Sequence, residues 1–527
     1  MIISYNKYPF VINIRINQMV KSHKSHSGHT RRHPAQKAHK TKKRGIHSKS
    51  HSHKTDELKD ETKFRYYQMN CGVKLIMIHN PKSTFMEVSC SVAGGSSEEP
   101  ENLAGITHFL EHLVFRKTKH FKSESEMSEF IEKTAMYFNA YTAIKETNYY
   151  FSGPSKYENI NNALFVLKEM MFNMELDDHV LETERNIVIQ EYFRKADNPQ
   201  QEYYNLIDKM FYAGHPLSKV PIGNIDCLKK ITKADIMQYY KNMYNLNDIT
   251  LYITGNIPEF NTNKIIALCE YYFCKKGDRL WTPSIKLEHN YSTINSGKDK
   301  HNKLLGTFDV TEINKILQMN YNSQKAFLNH TPVNPGLHII KSTAQLNQNY
   351  IGFIFPLNGK YTLKNELLEA ILGLLRNGKK SKLFRLLREV HGLTYNVHVC
   401  TDKNIEGGYL YVFIGVNITD TQKAIDILSE FFSKVKSGNF FSPEELTFYK
   451  ARKLIDYDEN KKPDRAIWTH LNDIVNNYKI KDINEKKRNV RDIKLAKLNE
   501  YAKTILDMDK LYVYVYGSEL DKLKLNL

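Results

Sequence analysis

The sequence predicts an α+β protein of two related halves behind a basic extension. Three observations lead there. Strand-like alternation and helix-like periodicity interleave along residues 64–520. Leu251-Tyr252-Ile253-Thr254-Gly255 is echoed by Leu511-Tyr512-Val513-Tyr514-Val515-Tyr516-Gly517, so two stretches of about 200 residues each end on a strand followed by glycine. The charge is also lopsided. Of the net +18, residues 1–55 supply +13, with thirteen Lys and Arg, eight His and no acid. The rest of the chain sets 63 Lys and Arg against 58 acids, a net +5.

A nearly neutral body argues against a nucleic-acid surface there. Residues 21–55 are rich in His, Lys, Ser and Arg and lack the apolar side chains a core needs. Residues 1–20 carry Lys7 and Arg15 and fit no secretory signal. Three readings of this tail stay open: an organelle-targeting presequence, a nuclear-entry or anionic-polymer contact through Lys42-Lys43-Arg44, or a solvated extension. The six cysteines (Cys71, Cys90, Cys227, Cys269, Cys274, Cys400) show no Cys-x-x-Cys spacing. They predict neither a zinc ribbon nor a disulfide framework, and a reducing compartment is the simpler expectation. No run of about 18 apolar residues occurs, so no transmembrane helix is expected and the chain reads as soluble and intracellular.

In order, strands are expected at 64–69 and 73–78 around Asn70-Cys71-Gly72, then at 85–92, which Gly94-Gly95-Ser96 ends. A helix follows at 103–115. Ser123-x-x-Glu126 is a capping box opening a helix to about 133. Strands at 137–142 and 148–152 precede helices at 161–172, 179–193 and 201–212, and 251–255 closes the half. Residues 276–335 are polar and weakly patterned, a connector. The second half offers strands at 348–355, near 397 and at 409–416, helices at 363–375, 381–389, 421–436, 443–457 and 496–505, and a closing strand at 511–516. The domains expected are a disordered extension 1–60, a first domain 61–275 that carries the motif taken up next, the connector 276–335 and a related domain 336–527.

The chemistry centres on His108-Phe109-Leu110-Glu111-His112. On a helix, His108 and His112 lie one turn apart on one face with Glu111 beside them. Two imidazoles so spaced can hold one Zn²⁺, and the carboxylate can reach a metal-bound water without itself being a ligand. This is the inverted zinc-protease motif. Two histidines on an apolar helix are also compatible with satisfied core residues. A catalytic zinc needs a third protein ligand. Glu184 and Glu191, seven apart and so on one helical face, are candidates, but spacing does not bring that helix to His108.

Together with other segments, these residues resemble the pitrilysin family, which includes insulin-degrading enzyme and the mitochondrial processing peptidases. The similarity runs through Gly94-Gly95-Ser96, the His-x-x-Glu-His helix, Asn139-Ala140-Tyr141-Thr142, Glu146-Thr147-Asn148-Tyr149-Tyr150, and Glu184-Arg185-Asn186 to Glu191. It continues in Gly214-His215-Pro216, Ile222-Gly223, and Leu387-Arg388-Glu389-Val390-His391-Gly392-Leu393-Thr394-Tyr395.

The resemblance implies a zinc metalloendopeptidase of two domains, each an antiparallel sheet flanked by helices, hydrolysing unfolded peptides or presequences. It implies one Zn²⁺ per chain on His108, His112 and Glu191, with Glu111 as general base towards a zinc-activated water. Glu184 would orient a histidine ligand. Asn139 and Ala140 would pair with an extended substrate on an edge strand, and Arg388 and Tyr395 would bind the substrate carbonyl and its developing oxyanion. In two-domain members the second domain of a partner faces the site, so a homodimer or a heterodimer with a related subunit is expected, with Arg388 and Tyr395 acting in trans. Two departures stand out: Ala135 and Met136 where the family often has a glycine pair, and a basic turn, Asn377-Gly378-Lys379-Lys380, in the second half. The competing reading is a non-catalytic scaffold or processing-complex subunit of the same fold, its basic tail binding an anionic partner.

Overall fold

The strand patterns on either side of the connector assemble into two sheets. The computed structural model describes residues 60–274, 306–308 and 334–525, apart from positions 343, 361, 377–380, 405–406 and 478–479. The basic extension, most of the connector and the turn at 377–380 lie outside the described residues.

The first sheet holds β1 (Lys63–Gln68), β2 (Lys74–His79), β3 (Met86–Val92), β4 (Tyr137–Thr142), β5 (Thr147–Gly153), β6 (Ile249–Gly255) and β7 (Gly306–Phe308) in the order β4-β5-β3-β6-β2-β1-β7. The second holds β8 (Gly336–Lys341), β9 (Gln348–Leu357), β10 (Val397–Lys403), β11 (Gly408–Asn417) and β12 (Tyr512–Gly517) in the order β10-β11-β9-β12-β8. Strand for strand, the first five positions of the two orders agree. Both sheets are mixed rather than wholly antiparallel, because β2 runs parallel to β6 and β8 parallel to β12. Each closing strand returns after a run of helices, a crossover long enough to enter the sheet in the same direction as its neighbour. The stretch read as a connector contributes β7, which pairs with β1.

Helices cover the inner faces. In the first half they are α1 (Ile106–Leu113), α2 (Glu124–Glu132), α3 (Tyr157–Phe172), α4 (Asp178–Ala196), α5 (Pro199–Phe211), α6 (Ile225–Lys230), α7 (Lys233–Met243) and α8 (Lys264–Phe273). In the second they are α9 (Asn365–Arg376), a segment Lys382–Phe384 that widens into a π-turn at Arg385–Val390, α10 (Thr421–Ser433), α11 (Pro443–Glu459), α12 (Pro463–Asn472), α13 (Ile483–Arg491) and α14 (Leu495–Ile505). The Ser123 hydroxyl accepts from the Glu126 amide, the cap its spacing predicts. Helices α6, α7, α8, α12 and α13 and strand β8 were not expected. Ile265-Ile266-Ala267-Leu268-Cys269 in α8 is one continuous apolar run, which fits strand and helix alike.

The strands alternate. Met86, Val88, Cys90 and Val92 of β3 join Leu251 and Ile253 of β6 and Tyr149 and Phe151 of β5 in the first core, beneath α1 and α3. The opposite face is divided. Its β1–β2 part is apolar, and Phe64, Tyr66, Ile76 and Ile78 are covered by Ile467, Ile474 and Ile480 from the second half. Asp464 fastens the start of α12 there, accepting from the Ser83 hydroxyl at 2.6 Å and the Thr84 amide at 3.0 Å. In return, α5 lies on the second sheet. Tyr203 packs on Phe413 (5.1 Å) and donates to the Tyr514 carbonyl (3.1 Å), and Tyr409 donates to Asp208 (2.7 Å). Each half therefore lends a helix to the other's sheet.

Cys71 and Cys274 are joined as a disulfide, with Cα atoms 5.4 Å apart and 203 positions between them in sequence. This corrects the expectation of unpaired cysteines and removes the compositional argument for a reducing compartment. The fold brings the β1–β2 turn to the end of α8, a proximity invisible in the spacing. Among the described residues, no helix is long and apolar enough to cross a membrane.

Candidate metal centre

The metal motif lies on α1, and the start of that helix is held from three sides. Gly105 (φ +99°) and Gly223 (φ +75°) meet backbone to backbone; a Cβ on Gly223 would stand 2.3 Å from the Gly105 Cα. Only glycines allow that approach with positive φ. The Glu99 carboxylate accepts from the amides of Gly105 (2.7 Å) and Thr107 (2.9 Å), satisfying donors the helix cannot. The Thr107 hydroxyl contacts the Tyr239 hydroxyl at 2.8 Å.

Phe109, Leu110 and Leu113 anchor α1 in the core, which aims His108, Glu111 and His112 at α4. There Glu191 Oε2 lies 3.6 Å from His108 Nε2 and 3.4 Å from His112 Nε2. The donor atoms of the three residues all fall within 4.8 Å of one another, and it is the one group of this kind among the described residues. Glu184, two turns earlier on α4, contacts His112 Nδ1 at 2.8 Å through Oε1, and its Oε2 meets Arg116 Nε at 2.8 Å. His112 thus has Nδ1 engaged, while its buried Nε2 has no hydrogen bond. Lys195 pairs with Glu191 Oε1 at 2.7 Å. The Thr142 hydroxyl, at the end of β4, donates to Glu111 Oε2 at 2.6 Å.

Electrostatics mark the same place. Burial, with the charges of His112 and Lys195, drives His108 well below its ordinary value, and burial raises Glu111. Burial would also raise Glu191, but contact with His112 and the charges of His108 and Lys195 hold it well below the ordinary carboxylate range. Burial would lower His112, yet its contacts with Glu184 and Glu191 and the charge of Glu111 overcome it and raise it to about 10. The buried acids thus call for a positive charge between the imidazoles. Two imidazole nitrogens and a carboxylate oxygen are a zinc donor set, with Glu184 fixing one ring from behind, so the residues present fit the ion.

The remaining expected residues fall in two places. Asn139 and Ala140 lie on β4, an edge strand of the sheet, whose one hydrogen-bonded neighbour among the described residues is β5. Tyr137 and Tyr141 are exposed on that strand, and Asn139 Oδ1 accepts from the Ala140 amide at 2.9 Å. Just before it, Ala135 adopts φ +56°, a conformation favouring glycine, where the resembled family often has one. Arg388 and Tyr395 lie elsewhere. Arg388 donates to the Tyr395 carbonyl (3.2 Å) and stacks over its ring (4.3 Å), and Tyr395 is 74% exposed. No hydrogen bond, ion pair or ring contact joins either to His108, Glu111, His112 or Glu191 in this chain.

Glu99, Arg116, Thr142 and Lys195 were not foreseen. Only Lys195 left a signal, four positions after Glu191 on one helix.

Residues 74–223 match the insulinase (peptidase family M16) model, and residues 230–453 match the model of the M16 inactive domain. An uncharacterized zinc protease of Bacillus subtilis is 29% identical over 37% of this chain and 46% of its own length. The probable mitochondrial-processing peptidase subunit beta of Schizosaccharomyces pombe is 28% identical over 38% of this chain and 43% of its own. Human insulin-degrading enzyme is 27% identical over 42% of this chain and 23% of its own. The chain thus matches less than half the length of each. In fold, a protease from Helicobacter pylori superposes with a TM-score of 0.67 at 18% identity, covering 86% of this chain and 99% of that one. With both family models matched in tandem along a fold of two like sheets, the chain belongs to the M16, or insulinase, family of peptidases.

Proposed function

We propose that this protein is a zinc metallopeptidase that hydrolyses extended, unfolded peptides. The observation that carries the reading is the convergence of His108, His112 and Glu191 within 4.8 Å, with Glu111 on the same helix and hydrogen-bonded to the end of an edge strand. A zinc ion there would supply Lewis acidity towards a peptide carbonyl and make water a usable nucleophile near neutral pH. The chain's own residues do the rest. Glu184 holds the His112 ring, and Lys195 holds Glu191. Glu111, raised by burial, accepts a proton on its carboxylate and returns it to the leaving amine. The free edge of β4 receives the peptide backbone, a pairing that reads main chain rather than side chain.

Arg388 and Tyr395 act from a second copy or a related subunit, since within one chain they do not touch the metal residues. Mixing Glu111→Gln with Arg388→Ala should therefore restore partial activity; no recovery sinks the trans assignment. The scaffold reading is disfavoured because base and ligands are all retained. The test of the whole is zinc content and peptide cleavage for wild type and Glu111→Gln. About one zinc in both, with turnover lost by ~10²–10⁴-fold in the variant alone, supports the peptidase. Zinc in both and cleavage by neither favours the scaffold, and zinc in neither removes the metal assignment.

A further inference from the structure

The outer face of the first sheet is ordered by register into three rows. Tyr141, Asn148, Ser91 and Thr250 form the row nearest the metal helix; Asn139, Tyr150, Ser89 and Tyr252 form the next; Tyr137, Ser152, Glu87 and Thr254 form the third. Across these twelve positions Glu87 is the single charged side chain. It is 8% exposed and central in the sheet, with no hydrogen bond or ion pair among the described residues. Its cross-strand neighbour Thr254, 1% exposed, likewise leaves its hydroxyl without a hydrogen bond.

The contrast with Glu146, in the β4–β5 turn, is direct. Both its carboxylate oxygens are used, by the hydroxyls of Tyr141 (3.0 Å) and Ser91 (3.0 Å). A buried hydroxyl left without a partner beside an unpaired carboxyl is costly unless something completes it. Burial alone pushes the Glu87 carboxyl up to about 7, with no cation among the described residues pulling it back. Beside the row, Phe85, two positions before Glu87 on the same face, stacks on Trp468 of α12 (5.8 Å), where the covered part of the face begins.

We propose that the Ser152–Glu87–Thr254 row is a subsite for the guanidinium or ammonium group of a basic residue in the bound peptide. Two rows separate it from Tyr141, about 13 Å at the rise of a strand, so the residue it takes lies several positions from the bond that is cut. The cation supplies the missing countercharge to Glu87, the Thr254 and Ser152 hydroxyls share its hydration, and the neighbouring Phe85 ring suits a guanidinium. The inference rests on the peptidase reading for its ligand, a peptide, but not on turnover for its test.

The experiment measures binding to full-length Glu111→Gln, with and without Glu87→Gln. The probes are fluorescent 15-residue peptides in which a single arginine is walked along the sequence and compared with citrulline, its neutral isostere. At one or two positions arginine should bind about tenfold tighter than citrulline, and Glu87→Gln should bring that ratio near one. Thr254→Val, which keeps the packing volume, should lower the ratio partway and serves if Glu87→Gln does not fold. Equal binding of arginine and citrulline at every position overturns the subsite, as does a preference that survives Glu87→Gln. Wild-type cleavage is scored separately. Discrimination without cleavage leaves the subsite standing and removes the peptidase reading; cleavage without discrimination does the reverse.

Discussion

The two halves have the same strand connectivity and opposite chemistry. By position along the chain, α1 corresponds to α9 and α4 to α11. Helix α1 sets His108, Glu111 and His112 among apolar residues, whereas α9 runs Leu367-Leu368-Glu369-Ala370-Ile371-Leu372-Gly373-Leu374-Leu375 with no histidine. Both bury an apolar face under a sheet of the same order, so the sheet is indifferent to which one it carries. What separates the half that carries the candidate metal centre from the half that does not is a handful of polar side chains and the network behind them.

The exchanged helices differ too. Tyrosines dominate where α5 meets the second sheet, and the hydroxyls of Tyr203 and Tyr409 find partners there; isoleucines of the second half cover the first sheet where α12 meets it. The second sheet accordingly has a close fit to one residue. A Cβ on Gly352 would stand 2.1 Å from the Tyr203 hydroxyl.

The sharpest way to break the comparison is at the metal. His108→Ala should abolish stoichiometric zinc, read by elemental analysis, and cut turnover by more than ~10³-fold. Zinc retained by this variant would move the site elsewhere and erase the distinction between the halves. Next in size is the seam. Tyr203→Ala, at a fully buried ring, should cost ~3–5 kcal/mol in denaturant unfolding, whereas Tyr203→Phe should cost ~1 kcal/mol. A small effect from both would mean that α5 is not what joins the halves. The finest test concerns the support behind the ligands. Glu184→Gln should weaken zinc affinity ~10–100-fold in competition with a chelator, with the fold unchanged. Unchanged affinity would reduce Glu184 to an ion-pair partner of Arg116.

How much of this was legible in sequence depends on the range of the interaction. The face shared by His108 and His112, the Ser123 cap and the strand at 137–142 follow from local spacing, and all appear as expected. That Glu191 meets His108 does not follow from spacing, since it depends on how α4 crosses α1; the family resemblance suggested it and the packing places it. Nothing local announces that Ile467 belongs over Phe64, that Cys71 reaches Cys274, or that the closing strands β6 and β12 run parallel to β2 and β8. The sequence around Ile467 predicts no element, and its place in a core follows only once the other half's sheet is set beneath it. The tail, the largest compositional signal, bears on none of these.

The exchange of helices also constrains the order of events during synthesis. Phe64, Tyr66, Ile76 and Ile78 are made early, and their cover, ending at Ile480, is made near the end. Through most of translation the first sheet therefore carries a bare apolar stripe next to an open strand edge, a combination that invites misassembly. The second sheet has no such interval, because α5 is already made when its strands emerge. A nascent chain held short of α12 should accordingly be the species that engages chaperones, and release past Ile480 the step that frees it.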